Sequence, residues 1–152
     1  DDIYAAVDGN RVTGVIGCWN QASFRQRIVR EYTGLLHVFR PLINLAAPLF
    51  GCVPFPECNE PVRNRLASCI AVDNDDQAVF RMLLHKMAAD AAASGGGFLC
   101  VGMSSNDPLL PSAKKMPHLV LKSRIYLVAW PDGDDAVLRL DGRVPYLELG
   151  SL

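Results

Sequence analysis

The acidic stretch Asp73-Asn-Asp-Asp76 stands between an apolar run at residues 66–72 and a helical pattern that begins at Gln77. Carboxylates at a helix start accept backbone N–H bonds and complement the helix dipole, so these aspartates read as caps before they read as catalytic acids. Their charge also opposes a phosphate approaching the same helix end. Other groups with acid–base or nucleophilic capacity are scattered. His37 and His85 fall on helical stretches, where exposure is the default; His118 opens a long apolar segment and is the best general-base candidate. Tyr126, further along that segment, could donate a proton to a leaving group, although an aromatic in a strand is more often packing. Cys69 has no base or electropositive setting nearby that would generate a thiolate, and reads as a buried structural cysteine. Cys18 and Cys100 also lie in apolar runs, where a thiol behaves as a small hydrophobe. Cys52 and Cys58 could pair or bind metal across a proline-rich loop. Their five-residue gap is not a common zinc spacing, however, and no Cys-x-x-Cys or His-x-x-x-His accompanies them. Gly-x-Ser-x-Gly, the Gly-x-x-x-x-Gly-Lys-Ser/Thr phosphate loop and His-Glu-x-x-His are all missing, which takes most of the weight from hydrolase, NTPase and zinc-protease readings.

The elements that must position these residues follow from periodicity. Residues 3–7 and 12–17 are apolar runs around Asp8-Gly-Asn-Arg11, a strong hairpin signal, with Trp19 and Asn20 at its end. Ser23-Phe-Arg-Gln26 resembles a capping box, and Phe24, Ile28, Tyr32, Leu35, Leu36 and Phe39 continue at helical spacing until Pro41 bends or ends the helix. Residues 51–61 hold three prolines and read as a loop, the most mobile part of the chain. Residues 66–72, 77–93 and 98–103 read as strand, helix and strand, stopped between helix and second strand by Gly95, Gly96 and Gly97. Two short apolar strands joined by a helix are most simply parallel neighbours, since a parallel pair needs a crossover of that length. Ligands then collect beyond the carboxyl ends of the strands, at residues 72–79 and 103–106. A short helix or turn is expected at 108–114, a long strand at 118–130, a turn at 131–135, a return strand at 136–140 and an edge strand at 145–149.

A chain of 152 residues, half of them apolar and a fifth charged, suits one domain with a real core and argues against disorder. The formal net charge of -1 gives no basic field of the kind nucleic-acid binding favours, and Arg25, Arg27, Arg30 and Arg40 are explained by a solvated helix face. No apolar stretch reaches the length of a membrane span and no signal peptide is visible. The thiols read as reduced and cytoplasmic. The start at Asp1 is expected to reflect a longer polypeptide of which residues 1–152 form a single C-terminal domain.

Ile70-Ala-Val72 with its polar turn, the helix carrying Leu83-Leu84, the strand at 98–103 and Asn106 just beyond it together resemble the GNAT superfamily of N-acyltransferases. The order of hairpin, crossover unit and final strands extends the similarity over residues 3–140. The resemblance implies an α/β (α+β) fold with a mixed, mostly antiparallel sheet and one central parallel βαβ crossover. It implies acetyl-CoA or another acyl-CoA as cosubstrate and a small-molecule or peptide amine as acceptor. Backbone at Ala71 and Val72 would hold the pantetheine arm and polarise the thioester; N–H groups at Gln77, Ala78 and Val79 would meet the pyrophosphate; Asn106 would border the cofactor. His118 would take the acceptor's proton and Tyr126 is the acid candidate. Two departures stand out: the family's Arg/Gln-x-x-Gly-x-Gly/Ala loop is replaced by Asp-Asp-Gln77-Ala-Val-Phe80, and residues 104–116 hold no tyrosine. The second expectation is therefore a non-enzymatic binding or interaction module, with the apolar stretch 35–50 as a surface for a homodimer or another partner. A thiol enzyme using Cys69 or Cys52 ranks below both.

Overall fold

The computed structural model describes residues 1–95, 97–126, 128, 130, 133, 137 and 139–149. Strands β1 (Asp2–Asp8) and β2 (Arg11–Trp19) form the expected antiparallel hairpin. Gly9 takes φ +58° at the first of the two loop positions, where the tight turn requires a positive φ that glycine adopts without strain. Strand β3 (Asn64–Val72) pairs antiparallel with β2, and β4 (Phe98–Cys100) pairs parallel with β3, giving a four-stranded mixed sheet in the order β1-β2-β3-β4. Helix α2 (Gln77–Ala93) links β3 to β4 and places Phe80, Leu83, Leu84 and Met87 against Ala6, Ile16, Cys18 and Ala67 of the sheet. Leu109, just before the short helix α3 (Leu110–Ala113), closes this core. The architecture is mixed α/β of the α+β kind.

Three expectations are corrected. The first helix does not begin at Ser23: helix α1 spans Gly34–Ala46 and carries Pro41 inside it. Upstream, the backbone bonds elsewhere, with Val29 N–H donating to the Glu60 carbonyl at 3.2 Å, Asn59 N–H to Val29 at 2.7 Å and Val62 N–H to Arg27 at 2.7 Å. β-branched Ile28 and Val29 favour this extended pairing over a helix. The same pairing pins the proline-rich loop that sequence marks as mobile. Asn44 bonds both backbone groups of Phe55 at 2.9 and 2.7 Å, Tyr32 Oη donates to the Pro56 carbonyl at 2.8 Å, and Arg40 pairs with Glu57 at 2.6 Å.

The third correction concerns the C-terminal part. Residues 117–126 carry no strand and are exposed, with Leu121 at 93%. A strand needs a ladder partner, and no pairing reaches this stretch among the described residues. Residues 145–149 contribute no ladder strand either, although they dock by side chains as described below. The turn at 131–135 and the return strand at 136–140 fall mostly outside the described residues; Arg139 and Leu140, which are described, are not in a strand. No helix among the described residues is long and apolar enough to cross a membrane.

Candidate functional site

The sheet is irregular at one place in β3. Val15 pairs with Ala71 and Gly17 with Ser68, so Cys69 and Ile70 together stand opposite the single residue Ile16. Two residues against one make a β-bulge, which twists the strand and frees backbone groups from the ladder. Cys69 takes φ +50°, a left-handed conformation that costs a side-chain-bearing residue about 1–2 kcal/mol. Leu66, Ala67 and Ser68 are buried, whereas Cys69 is turned outward and exposed. This corrects the expectation of a buried thiol. Gly17 is what lets the strands close up beside the bulge: a Cβ there would lie 2.6 Å from Ser68 Oγ and 3.2 Å from the Ser68 carbonyl oxygen.

The freed N–H groups meet polar side chains from the C-terminal stretch. Cys69 N–H donates to Glu148 Oε2 at 3.0 Å and Ile70 N–H donates to Tyr146 Oη at 3.0 Å. The Tyr146 hydroxyl in turn donates to Glu148 Oε2 at 2.8 Å. Burial pushes the Tyr146 phenol up, the Ile70 N–H works against that, and the Glu148 carboxylate reinforces it, so the hydroxyl keeps the proton it donates. Consecutive N–H groups at a bulge form a concavity suited to an oxygen acceptor.

The stretch sits where β3 and β4 part. Their parallel ladder covers only Asn64–Leu66 against Phe98–Cys100, while β3 runs on to Val72 and residues 101–103 leave the sheet. Residues 145–149 lie in the resulting slot. They touch the bulge on one side and pass Gly102 on the other, where an added Cβ would lie 3.1 Å from Leu149 Cβ and 3.5 Å from the Leu147 carbonyl oxygen.

At the same end of the strands, the start of α2 is already satisfied from within the chain. Asp76 Oδ1 accepts from Ala78 N–H at 2.7 Å and from Val79 N–H at 3.2 Å. Asp73 pairs with Arg11, and Asn74 and Asp75 both take φ +51° in the tight turn before the cap. Gln77 is tied to the α3 region: its Nε2 donates to the Pro108 carbonyl at 3.1 Å, and buried Ser112 Oγ donates to its carbonyl oxygen at 3.2 Å. An incoming diphosphate would therefore meet a carboxylate already seated on the N–H groups it needs.

Ala71, Val72, Gln77, Ala78 and Val79 thus share the carboxyl end of β3 and the start of α2, with Asn106 exposed in the turn that leads to Pro108. Ala71 and Val72 lie opposite Val15 and Gly14 in the ladder, and the N–H groups turned toward the slot belong to Cys69 and Ile70. His118 is exposed, with its ring Nδ1 on the Met116 carbonyl at 2.7 Å, and Tyr126 is 72% exposed. Among the described residues, no hydrogen bond joins either of them to the bulge. Burial pushes the Cys18 and Cys100 thiols up, opposed by Arg65 and Arg27 respectively. These two thiols are packing groups. No cluster of three or more His, Cys, Asp or Glu suited to a metal occurs among the described residues.

The Cys69 and Ile70 N–H groups as a donor pair, and Gly102, Tyr146 and Glu148 as their surroundings, escape the sequence reading. Glycines inside a strand pattern, here Gly14 and Gly17, are the signal that points to a bulge or a close backbone approach. Comparison of the chain with protein-family models, with curated proteins and with solved structures gives no match.

Proposed function

We propose that the chain is a divergent GNAT-like N-acyltransferase domain that accepts an acyl thioester, acetyl-CoA or a longer acyl-CoA, in the slot between β3 and the chain beyond β4. One observation carries this reading: consecutive N–H groups of Cys69 and Ile70 face a slot where two parallel strands separate. An extended pantetheine arm fits such a strand edge by backbone hydrogen bonding. A thioester carbonyl seated on these N–H groups would be polarised as its oxygen gains charge, the role of an oxyanion hole. The lone pair of an amine, on a small molecule or a peptide, attacks the carbonyl carbon. The C–S bond breaks, the sulfur leaves as thiolate, and the amine proton passes to water or to His118. The arm carries the affinity in this reading, because Asp76 occupies the N–H groups of Ala78 and Val79.

Isothermal titration with acetyl-CoA and with acetyl-pantetheine, which lacks the nucleotide and the diphosphate, tests this. Both should bind, with affinities within about fivefold of each other, a difference of about 1 kcal/mol. Absence of binding by either thioester at millimolar concentration refutes it. A non-enzymatic interaction module is the second reading, favoured by the open apolar face of α1. Leu35, Leu42 and Leu45 there are 77, 63 and 78% exposed, and a homodimer is its simplest form.

A further inference from the structure

The slot that the acyl-donor reading requires is filled by the protein itself. Residues 145–149 reach it by satisfying both freed N–H groups of the bulge, one with a carboxylate oxygen and one with a phenolic oxygen. A carboxylate is a stronger acceptor than a neutral carbonyl, and charge-assisted bonds of this kind are about twice as strong as neutral ones. Tyr146 and Glu148 are also bonded to each other, so the two acceptors arrive as one preformed unit. On the far wall, the missing side chain of Gly102 leaves room for the backbone of Leu147 and for Leu149. Tyr146 itself remains 53% exposed, and the stretch holds its place by side-chain bonds rather than by a ladder. Such an occupant can leave without breaking the sheet.

We propose that residues 145–149 act as a built-in occupant of the slot, with Glu148 on the Cys69 amide and Tyr146 on the Ile70 amide, and that an acyl thioester enters only when this segment is displaced. The proposal rests on the acyl-donor reading for the identity of the incoming ligand, and on the contacts alone for the occupancy. A ligand that binds only the vacated form has its apparent affinity reduced by the vacated fraction, so weakening the occupant must tighten ligand binding.

The test uses the full chain as wild type, as the Tyr146→Ala/Glu148→Ala double variant and as Glu148→Gln. Amide hydrogen exchange at Cys69 and Ile70 is followed by NMR without ligand, and acetyl-pantetheine and acetyl-CoA are titrated into each protein. In the double variant both amides should exchange at least about tenfold faster, matching the loss of two hydrogen bonds. Thioester affinity should rise at least about fivefold in parallel. Glu148→Gln keeps a side-chain acceptor and should fall between the two on both measures. Unchanged exchange at both amides overturns the proposal, whatever the thioesters do. Faster exchange with unchanged or weaker thioester binding also overturns it, because the segment then does not compete for the slot. Faster exchange with no thioester binding in any of the proteins overturns the acyl-donor reading and the gating role with it, while leaving the internal contact demonstrated. Unchanged exchange with normal thioester binding overturns the gating role alone.

Discussion

Gly17→Ala perturbs the bulge from the opposite strand, and its cost can be worked from the contacts. The added methyl would lie 2.6 Å from Ser68 Oγ, 3.2 Å from the Ser68 carbonyl oxygen and 3.7 Å from its carbonyl carbon. The hydroxyl is a short side chain and can rotate away. The carbonyl belongs to the residue just before Cys69 and must shift by a few tenths of an ångström. Overpacking of this kind costs about 1–3 kcal/mol, from which the gain of alanine over glycine in a strand, about 0.5–1 kcal/mol, is subtracted. The expected net loss is about 0.5–2 kcal/mol, read as a lower urea midpoint with an unchanged m value. A companion Ser68→Ala removes the 2.6 Å contact and leaves the 3.2 Å one. The double variant should therefore recover about half of the loss, as an interaction energy of about 0.3–1 kcal/mol in the cycle. Amide exchange at Cys69 and Ile70 should quicken in Gly17→Ala, because the bulge moves relative to Tyr146 and Glu148. A loss below about 0.3 kcal/mol, or strict additivity in the cycle, refutes the claim that Gly17 sets the approach of the strands at this point.

Three further outcomes are expected. Asp76→Ala removes the acceptor from the Ala78 and Val79 N–H groups and should lower stability by about 1 kcal/mol in urea unfolding, with Asp76→Asn or Asp76→Ser retaining most of it. Phe80 is fully buried beneath the sheet, so Phe80→Ala should cost about 3–5 kcal/mol, enough in a core of this size for thermal unfolding to fall close to ambient temperature. Burial and the facing Asp90 carboxylate push the Tyr4 phenol up from 10.0 to about 12, so the fold holds that proton more tightly than the open chain does. Its contribution is full below about 10 and is lost as the pH rises through about 12, and Tyr4→Phe should flatten the fall of the melting temperature across that window.

Elements with local, self-contained signals were legible in the sequence. The Asp8-Gly9 turn, the helix with Asp76 at its start and the strand–helix–strand unit around it each carry their chemistry within a few neighbouring residues. Pro41 misled because a helical stripe extends on both sides of it. Ser23 misled because the competing partner for residues 27–29 lies about thirty residues away, at Asn59–Val62. The stretch from His118 onward is apolar enough to suggest a strand, but apolar composition supplies no ladder partner. The irregularity of β3 was not legible in the sequence. The bulge near the carboxyl end of β3 depends on register with β2, and its partners Tyr146 and Glu148 stand more than seventy residues further on.

The bulge also explains why this end of the sheet can take an occupant. A backbone N–H withdrawn from its ladder takes an oxygen acceptor elsewhere, and here two neighbouring groups withdrawn together take Glu148 and Tyr146. In a strand covered by its neighbour along its full length, β4 would supply the carbonyls, but its ladder ends at Cys100. The geometry that opens the slot is thus the same geometry that creates the demand for oxygen acceptors inside it. Any ligand that enters must offer a carbonyl, carboxylate or hydroxyl at that point and an extended body alongside, which are the features that residues 145–149 present in the resting protein. Asp76 meets the corresponding demand at the start of α2, where the N–H groups of Ala78 and Val79 would otherwise face an anion. On the proposed reading, both acceptor sites that a thioester cofactor would use are satisfied internally, and they differ in what holds the acceptor in place. Asp76 is fixed within its own turn of helix, whereas Tyr146 and Glu148 belong to a segment held by a few side-chain contacts. On the proposal that residues 145–149 are displaced, that difference puts the exchangeable position at the bulge and the permanent one at the helix cap.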